Sequence, residues 1–386
     1  MKESLKKLTI LELVNVRWYN ACAWYAVTLS CALKRRGHRI IVGGDPGSPP
    51  ATEAQKLGLE TYFKLWLSKV EPFTFVYNLK RLAELLEKEK IDVINAHRSE
   101  THLLSSLLSY LGKKKVGVIR TRGDVRNPKN NFFNRYLNNS LTDKIIITSE
   151  VLKESYLYDL KIPKEKVKTI APGIDKEFFS PQPKSKKWKD KLKLDDDCVV
   201  VGIVGRLSPV KGHEYFIKAA SHVLKNSSKK IKFLIAGENA QIKFNFLENI
   251  IHRLGMSDNF ILVGKVEDVR GIISLFDIGV ISSVGSEMVC RVALEYMAMG
   301  KPVVGTRVNA IPEMVEDRKS GILVPPEDET ALGRAILELT ENETERKDYG
   351  RAGRKMVEKK YNLDDFASRT EEVYHQVLKD KGIENG

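Results

Sequence analysis

The 386-residue chain has few cysteines and no long hydrophobic run, and each of these absences excludes a class of protein. Its four cysteines show no CxxC spacing, so they indicate neither a disulfide framework nor a zinc site. No stretch approaches the roughly eighteen apolar residues of a membrane-spanning helix. The basic start leads into an apolar run that Glu12 and Asn15 soon interrupt, which is not the pattern of a cleaved signal peptide. We therefore expect a cytoplasmic protein.

Acidic residues are scarce relative to basic ones. The chain has 64 lysines and arginines against 50 aspartates and glutamates, which gives a net charge of +14. Such an excess favours anionic partners, whether a phosphorylated substrate, a nucleic acid or a membrane surface. Lys113, Lys114 and Lys115 end a leucine-rich segment that could face a membrane. Leucines at this helical spacing are, however, more often part of a core.

Short apolar segments alternate with helical segments along most of the chain. Helices are predicted at 21–37, 73–90 and 101–112, and from about 328 to 381. Strands are predicted at 8–14, 38–44, 91–97, 115–121, 144–150, 167–173, 198–204, 231–237, 260–265, 278–283, 302–306 and 321–325. This alternation predicts an α/β fold with parallel sheets that helices cover on both faces.

A polar, proline-containing stretch interrupts this alternation and divides the chain. We predict a first doubly wound, Rossmann-like domain at 1–178, a linker at 179–197 and a second such domain at 198–363. Residues 364–386 are predicted to form a C-terminal helix that packs back on the N-terminal domain.

Two segments at predicted strand ends carry charged residues at informative spacings. In GRLSPVKG, Arg206 and Lys211 stand on either side of a glycine-bounded turn, where two cations suit a pyrophosphate. In EMVCRVALE, Glu287 and Glu295 are eight positions apart, and carboxylates suit sugar hydroxyls. Together the segments predict a nucleotide-sugar site.

At these two motifs the chain resembles a retaining glycosyltransferase of the GT-B fold, family 4. The family's GRLxxxKG and Glu-x7-Glu patterns are both present. Other segments similar to the family's surround them: LIAGE at 234–238, ALEYMAMGKPVVGT at 293–306 and GILVPP at 321–326. The resemblance implies two Rossmann-like domains that face each other across a cleft. It also implies that the N-terminal domain binds the acceptor and the C-terminal domain the nucleotide-sugar donor.

The resemblance implies a catalytic role for the two cations. Arg206 and Lys211 would stabilise the negative charge that develops on the leaving diphosphate, as a divalent metal does in other enzymes. We therefore expect neither a metal nor another cofactor. Both side chains are expected on a solvated turn, and the following helix would add its N-terminal amides.

The other donor contacts are also implied by the resemblance. Glu295 would bind the ribose hydroxyls, and Glu287 would bind donor-sugar hydroxyls and take part in catalysis. Gly205 and the backbone amides of Met288 and Val289 would complete the donor site. Met288–Arg291 replace the small, glycine-bearing residues usual at this place.

In the N-terminal domain the resemblance points to His97, which ends a predicted strand. Its neutral imidazole would hydrogen-bond a sugar hydroxyl during catalysis. Arg98, Arg120 and Arg122 follow or end neighbouring strands, and we expect them to hold an anionic acceptor.

The sequence therefore predicts an enzyme that moves a sugar from a nucleoside-diphosphate sugar to a hydroxyl of an anionic or membrane-linked glycan, with retention of anomeric configuration. It would serve cell-envelope glycolipid, lipopolysaccharide or polysaccharide synthesis, in the cytoplasm or on the inner face of the cytoplasmic membrane. Two alternatives remain open: a sugar-nucleotide epimerase on a similar scaffold, and a basic nucleic-acid-binding protein. The second lacks any RNP-like, zinc-finger or helix-turn-helix pattern.

Overall fold

The computed structural model describes residues 6–68, 71–112 and 115–383 and divides the chain into two compact units. Unit 1 comprises Met1–Gly173 and Leu363–Gly386, and unit 2 comprises Ile174–Asn362. Unit 2 thus includes the whole stretch that was predicted as a linker. The reason is that this stretch is bonded to unit 2: the Ser185 amide donates to Ser274 Oγ at 3.0 Å, and Lys184 pairs with Asp277 at 2.8 Å.

Unit 1 is built on a seven-stranded sheet whose described pairings are all parallel. Its strands are β1 Thr9–Leu13, β2 Arg39–Gly43, β3 Glu60–Tyr62, β4 Val93–Ala96, β5 Gly117–Arg122, β6 Lys144–Ile147 and β7 Val167–Thr169. They lie in the order β3-β2-β1-β4-β5-β6-β7. Its first five helices are α1 Ala21–Arg35, α2 Pro49–Lys56, α3 Pro72–Lys88, α4 Ser99–Leu111 and α5 Phe132–Ser140.

Local sequence explains most of these elements. The central strands β1, β4 and β5 are buried along their length apart from one partly exposed residue, as expected where helices cover both faces of a sheet. Asn20 caps α1, because its side-chain oxygen accepts from the amides of Cys22 and Ala23 at 3.1 Å each. The sequence did not indicate β3, which has only three residues, or α5, which is largely polar.

Unit 2 is built on a six-stranded sheet, again with parallel pairing. Its strands are β8 Val199–Val204, β9 Ile231–Ala236, β10 Phe260–Val263, β11 Ile278–Ile281, β12 Val303–Thr306 and β13 Gly321–Val324. Its helices are α6 Lys186–Lys191, α7 His213–Asn226, α8 Phe244–Arg253, α9 Arg270–Leu275, α10 Arg291–Ala298, α11 Ile311–Met314, α12 Glu329–Glu341 and α13 Glu343–Lys360.

The strand order of unit 2 determines where a ligand can bind. The order is β10-β9-β8-β11-β12-β13, so the chain winds outward from β8 to β10 and then returns to the other side of β8. The carboxyl ends of β8 and β11 therefore flank a topological switch point, where open α/β sheets bind their ligands. The predicted fold class, two doubly wound parallel α/β domains, is confirmed.

After unit 2 the chain returns to unit 1 as α14, Leu363–Asp380. Glu371 of this helix is buried and accepts from Arg36 at 2.5 Å, and it pairs with His38 Nε2 at 2.8 Å. The other nitrogen of His38 accepts from the Leu8 amide at 3.1 Å, so Nε2 carries the proton that Glu371 accepts. The helix is thus held by a buried, fully bonded carboxylate. Among the described residues, no helix is long and apolar enough to cross a membrane.

Candidate functional site

The carboxyl end of β8 leads into the first motif. The strand VVVGIV is an almost continuous buried run, typical of a parallel strand between two helical layers. Pro209–Lys211 then form a single 3-10 turn, and Gly212, at φ +65°, precedes α7. The first motif therefore connects a buried strand to the N-terminus of a 14-residue helix.

Gly212 brings this turn against the loop that follows β11. A Cβ atom at Gly212 would lie 1.9 Å from the carbonyl oxygen of Ser282. The two loops are also hydrogen-bonded, because Ser282 Oγ donates to the Lys211 carbonyl at 3.0 Å and the Val284 amide donates to the Val210 carbonyl at 2.9 Å. A residue without a side chain at this point lets both motifs share one site.

Lys211 and Glu287 form an ion pair where the two loops meet. Lys211 Nζ donates to Glu287 Oε1, and Ser283 Oγ donates to the same oxygen at 2.6 Å. Burial alone would lower the pKa of Lys211, but the charge of Glu287 outweighs it and raises that pKa. Lys211 is therefore cationic. A small cavity adjoins the pair, lined by Ile203, Val204, Gly205, Lys211, Val280, Ile281, Ser283, Glu287 and Val292.

The two predicted cations differ in their environment. The Arg206 side chain is exposed, in agreement with the expected solvated turn. For Lys211 that expectation is wrong, since its side chain is only 29% exposed and is paired with the buried Glu287. The charge of Arg206 acts to lower the pKa of Lys211, but by less than Glu287 raises it.

Glu295 lies in α10, the helix that follows the loop carrying Glu287. It is buried and accepts from Arg291 Nε at 2.5 Å, one turn earlier in the same helix. The neighbouring Tyr296 accepts from the Val204 amide at 2.8 Å, which fixes α10 against the end of β8. Met288 and Val289, between the two glutamates, have buried side chains.

In unit 1, His97 directly follows β4 and is buried against Glu12. Its Nε2 lies 2.6 Å from Glu12 Oε2. Burial opposes protonation of His97, but bonding to Cys22 and Glu12 and the charge of Glu12 outweigh it and raise the pKa of His97 to about 9. The neighbouring carboxylate thus favours the charged form of the ring, whereas the sequence predicted a neutral imidazole.

The three arginines predicted to bind the acceptor are mostly engaged with the protein itself. Arg120 is buried and donates to the Ala96 carbonyl at 2.9 Å, and burial lowers the pKa of Arg120 to about 10. Arg122, also buried, donates to the Arg126 carbonyl. Arg98 lies at the start of α4, 3.6 Å from Asp124. Their role in acceptor binding stays a prediction.

Some residues at these sites were missed by sequence reasoning. Ser283 and Arg291 each bond one of the two predicted glutamates. Arg291 carried a signal, its i,i+4 spacing to Glu295, whereas no pattern in the sequence marks Ser283. Glu12 did carry a signal, since it is a charged residue inside the otherwise apolar strand TILEL. A buried charge of this kind needs a partner.

Family models of glycosyltransferases match both halves of the chain. The model of "Glycosyl transferases group 1" matches residues 184–356, and that of "Glycosyltransferase Family 4" matches residues 23–178. An uncharacterized glycosyltransferase of Methanocaldococcus jannaschii is 27% identical over 324 residues, which cover 78% of this chain and 81% of the relative. A UDP-Gal:alpha-D-GlcNAc-diphosphoundecaprenol alpha-1,3-galactosyltransferase of Escherichia coli is 24% identical over 277 residues, covering 69% and 70%.

A solved structure shows the same fold. Anabaena HepE, crystallised in complex with UDP-glucose, superposes with a TM-score of 0.80 at 18% identity, covering 96% of this chain and 100% of HepE. The chain belongs to the glycosyltransferases of group 1 and family 4, which have the GT-B fold.

The approach of Gly212 to Ser282 predicts a large effect of a single methyl group. Gly212→Ala should destabilise unit 2 by about 1–2 kcal/mol for the left-handed backbone and by about 1–3 kcal/mol more for the displaced loop. Gly255→Ala is the matched control, because Gly255 has φ +69° and a methyl group there would meet nothing within 4 Å. Urea unfolding of both variants measures the difference, and equal losses would show that the contact is unimportant.

Proposed function

We propose that this glycosyltransferase moves a sugar from a nucleoside-diphosphate sugar to an acceptor hydroxyl, with retention of anomeric configuration and without a metal. The observation that carries the proposal is the pairing of Lys211 with Glu287 at the switch point of unit 2, beside the exposed Arg206. A cationic group suits the diphosphate of a nucleotide sugar, and a carboxylate beside it suits the sugar hydroxyls.

Each half of the donor has a counterpart in the site. The diphosphate gains negative charge as the bond to the sugar breaks, and Arg206, Lys211 and the first amides of α7 would stabilise it. Glu287 can accept hydrogen bonds from sugar hydroxyls, and Glu295 from the ribose. The complex of HepE with UDP-glucose supports a nucleotide-sugar donor for this chain as well.

The test is transfer itself. Purified protein is screened against nucleoside-diphosphate sugars by thermal shift, since the right donor stabilises the folded state. Transfer is then followed in EDTA, and the anomer of the product is assigned by NMR. Activity that EDTA abolishes and manganese or magnesium restores would disprove the metal-free mechanism. Release of nucleoside diphosphate without need of an acceptor would favour the epimerase.

Arg206→Ala should lower kcat by about a hundredfold or more, because it removes one fixed charge from the transition state. The variant should fold normally, since the side chain is exposed. Lys225→Ala, at the other end of α7, is the matched control and should leave kcat unchanged. Lys211→Ala is a poorer test, because it would also leave the buried Glu287 without its cation. Near-normal turnover of Arg206→Ala would mean that the diphosphate binds elsewhere.

The two glutamates should separate binding from transfer. Glu295→Gln should mainly weaken the affinity for free nucleoside diphosphate, because ribose belongs to that fragment. Glu287→Gln should mainly lower kcat, because the free nucleoside diphosphate lacks the sugar that Glu287 is proposed to contact. Isothermal titration calorimetry with the free nucleotide, beside steady-state kinetics, makes the comparison. Equal losses of nucleotide affinity in both variants would contradict these assignments.

For the acceptor we propose an anionic glycan linked to a membrane lipid, as in cell-envelope glycolipid or polysaccharide synthesis. The relative that acts on a diphosphoundecaprenol-linked sugar is one line of support. Another is a set of exposed aromatic residues in unit 1, with Phe73 90% and Phe132 84% exposed. Phe73 and Phe132 lie in the first turns of α3 and α5. Both helices begin at the carboxyl edge of the sheet, where His97 also lies. Exposed Lys80, two turns after Phe73 in α3, and exposed Lys129, three residues before Phe132, add positive charge.

Unit 1 should therefore bind anionic membranes. Aromatic side chains favour the membrane interface, and each cation near an anionic surface contributes about 1 kcal/mol. The protein should sediment with phosphatidylcholine vesicles that contain phosphatidylglycerol, and salt should release it. Phe73→Ser combined with Phe132→Ser should weaken sedimentation, whereas Phe246→Ser in unit 2 should not. Lys113 and Lys114, also predicted to face the membrane, lie outside the described residues. Absence of binding at low salt would point to a soluble anionic acceptor.

A further inference from the structure

The backbone of Glu287 is held by a second loop, which connects β12 to α11. The Glu287 carbonyl accepts from the Ala310 amide at 3.0 Å. With the carboxamide of Asn309 oriented by its hydrogen bonds, Oδ1 accepts from the Glu287 amide and from the Ser286 amide at 3.2 Å each. Both backbone polar groups of Glu287 are therefore bonded to consecutive residues of the β12–α11 loop.

Two residues in this contact have an unfavourable backbone conformation. Ser286 has φ +62° and Asn309 has φ +45°, both in the left-handed region that residues with a side chain rarely adopt. Such conformations persist only where surrounding contacts enforce them, and they cluster at functional sites. Here the left-handed Ser286 directly precedes Glu287, so that its own amide and that of Glu287 converge on one acceptor, as in the backbone nests that bind anions.

Asn309 fits this place for two reasons. Asparagine tolerates the left-handed conformation better than most residues other than glycine, and its side chain supplies a neutral acceptor. Glycine would satisfy the backbone alone, but it would remove the oxygen that the amides of Ser286 and Glu287 share. The side chain therefore serves the loop that carries Glu287 rather than the turn in which Asn309 itself lies.

The end of β12 also bonds the loop that carries Glu287. Thr306 Oγ1 donates to the Ser283 carbonyl at 2.5 Å, and Ser283 Oγ donates to Glu287 Oε1 at 2.6 Å. Lys211 Nζ donates to that oxygen as well. The position of the carboxylate thus depends on backbone bonds from the β12 side and on side-chain bonds from Lys211 and Ser283. Because β12 lies beside β11 in the sheet, the end of a third strand supports the candidate donor site.

We propose that Asn309 is a positioning residue for transfer: its side-chain oxygen holds the backbone of Glu287, so that the carboxylate stays where the hydroxyls of the donor sugar bind. This inference rests on the proposed function, in which Glu287 contacts the reacting sugar. Asn309 needs no contact with the donor, because it acts through Glu287. A displacement of about 1 Å at a catalytic group can lower a rate about a hundredfold, so the loss of two backbone hydrogen bonds can be decisive.

Amide hydrogen exchange measured by NMR reports this contact without any transfer. The amides of Ser286 and Glu287 should exchange slowly in the wild type, although Ser286 is exposed. In Asn309→Gly, which suits the same backbone, both amides should exchange about fivefold to tenfold faster, as for loss of one hydrogen bond each. Asn309→Asp keeps an oxygen in the same place and should restore slow exchange.

Lys193→Gly is the matched control. Lys193 also has a left-handed backbone, with φ +52°, but it lies between α6 and β8, ahead of the strand rather than at its carboxyl end. The same change of residue type at Lys193 should leave the exchange of the Ser286 and Glu287 amides, and the rate of transfer, as in the wild type.

Transfer should follow the same pattern as exchange. In Asn309→Gly, kcat should fall about tenfold to a hundredfold, and in Asn309→Asp it should recover. The affinity for free nucleoside diphosphate should stay close to that of the wild type, because the ribose is assigned to Glu295. In a Glu287→Gln background, Asn309→Gly should lower kcat little further, since the effects of residues that act as a unit are not additive.

Three outcomes would overturn the proposal. Rapid exchange of the Ser286 and Glu287 amides in the wild type would do so, and this measurement decides even where Asn309→Gly does not fold. An unchanged kcat in a folded Asn309→Gly would also do so. So would equal losses of kcat in the wild-type and Glu287→Gln backgrounds. Absence of transfer in the wild type would instead disprove the proposed function, and the exchange rates would still show whether Asn309 holds the loop.

Discussion

The contact between Gly212 and the Ser282 carbonyl is the constraint on which the candidate donor site depends. Parallel strands bring their carboxyl ends to one edge, but they do not by themselves bring two loops into bonding distance. Here the absence of a side chain at Gly212 allows the β8 turn to reach the β11 loop. The bonds of Ser282 and Val284 then hold the loops together, and only in that arrangement can Lys211 reach Glu287. The ion pair is a consequence of close backbone packing.

The sequence predicted the fold well because each strand is short, apolar and followed by a helix or turn. It could not predict β3, since three residues at a sheet edge show no periodicity. Motif spacing located Gly205, Lys211 and Glu287, which the structure brings to one cavity. The i,i+4 spacing of Arg291 and Glu295 is the spacing of a helical ion pair. Spacing could not reveal that Ser283 holds Glu287, because that bond depends on the path of a loop. Nor could it show that Arg120 faces inward, since a charged residue at a strand end is usually solvated.

The two sites use buried carboxylates in different ways. Glu287 and Glu295 each have a cationic partner in the absence of donor, and both partners, Lys211 and Arg291, are partly exposed. In the proposed function a donor would reach these pairs through their partly exposed cations. Glu12 and His97 are almost completely buried on both sides, and their pairing belongs to the fold. An ion pair that solvent can reach suits the binding of a ligand, whereas a fully buried pair holds elements of the fold together.

The position of α14 along the chain has a consequence for the order in which the protein is made. Unit 2 is one continuous segment, Ile174–Asn362, whereas unit 1 needs residues on both sides of it. Tyr374, which bonds Glu12, and Glu371, which bonds His38, leave the ribosome only after all of unit 2. Domains fold as units during synthesis, usually in order from the N-terminus. Here the order is partly reversed. The first sheet is synthesised early, but Glu12 and His38 can bond Tyr374 and Glu371 of α14 only after the whole second domain has been synthesised.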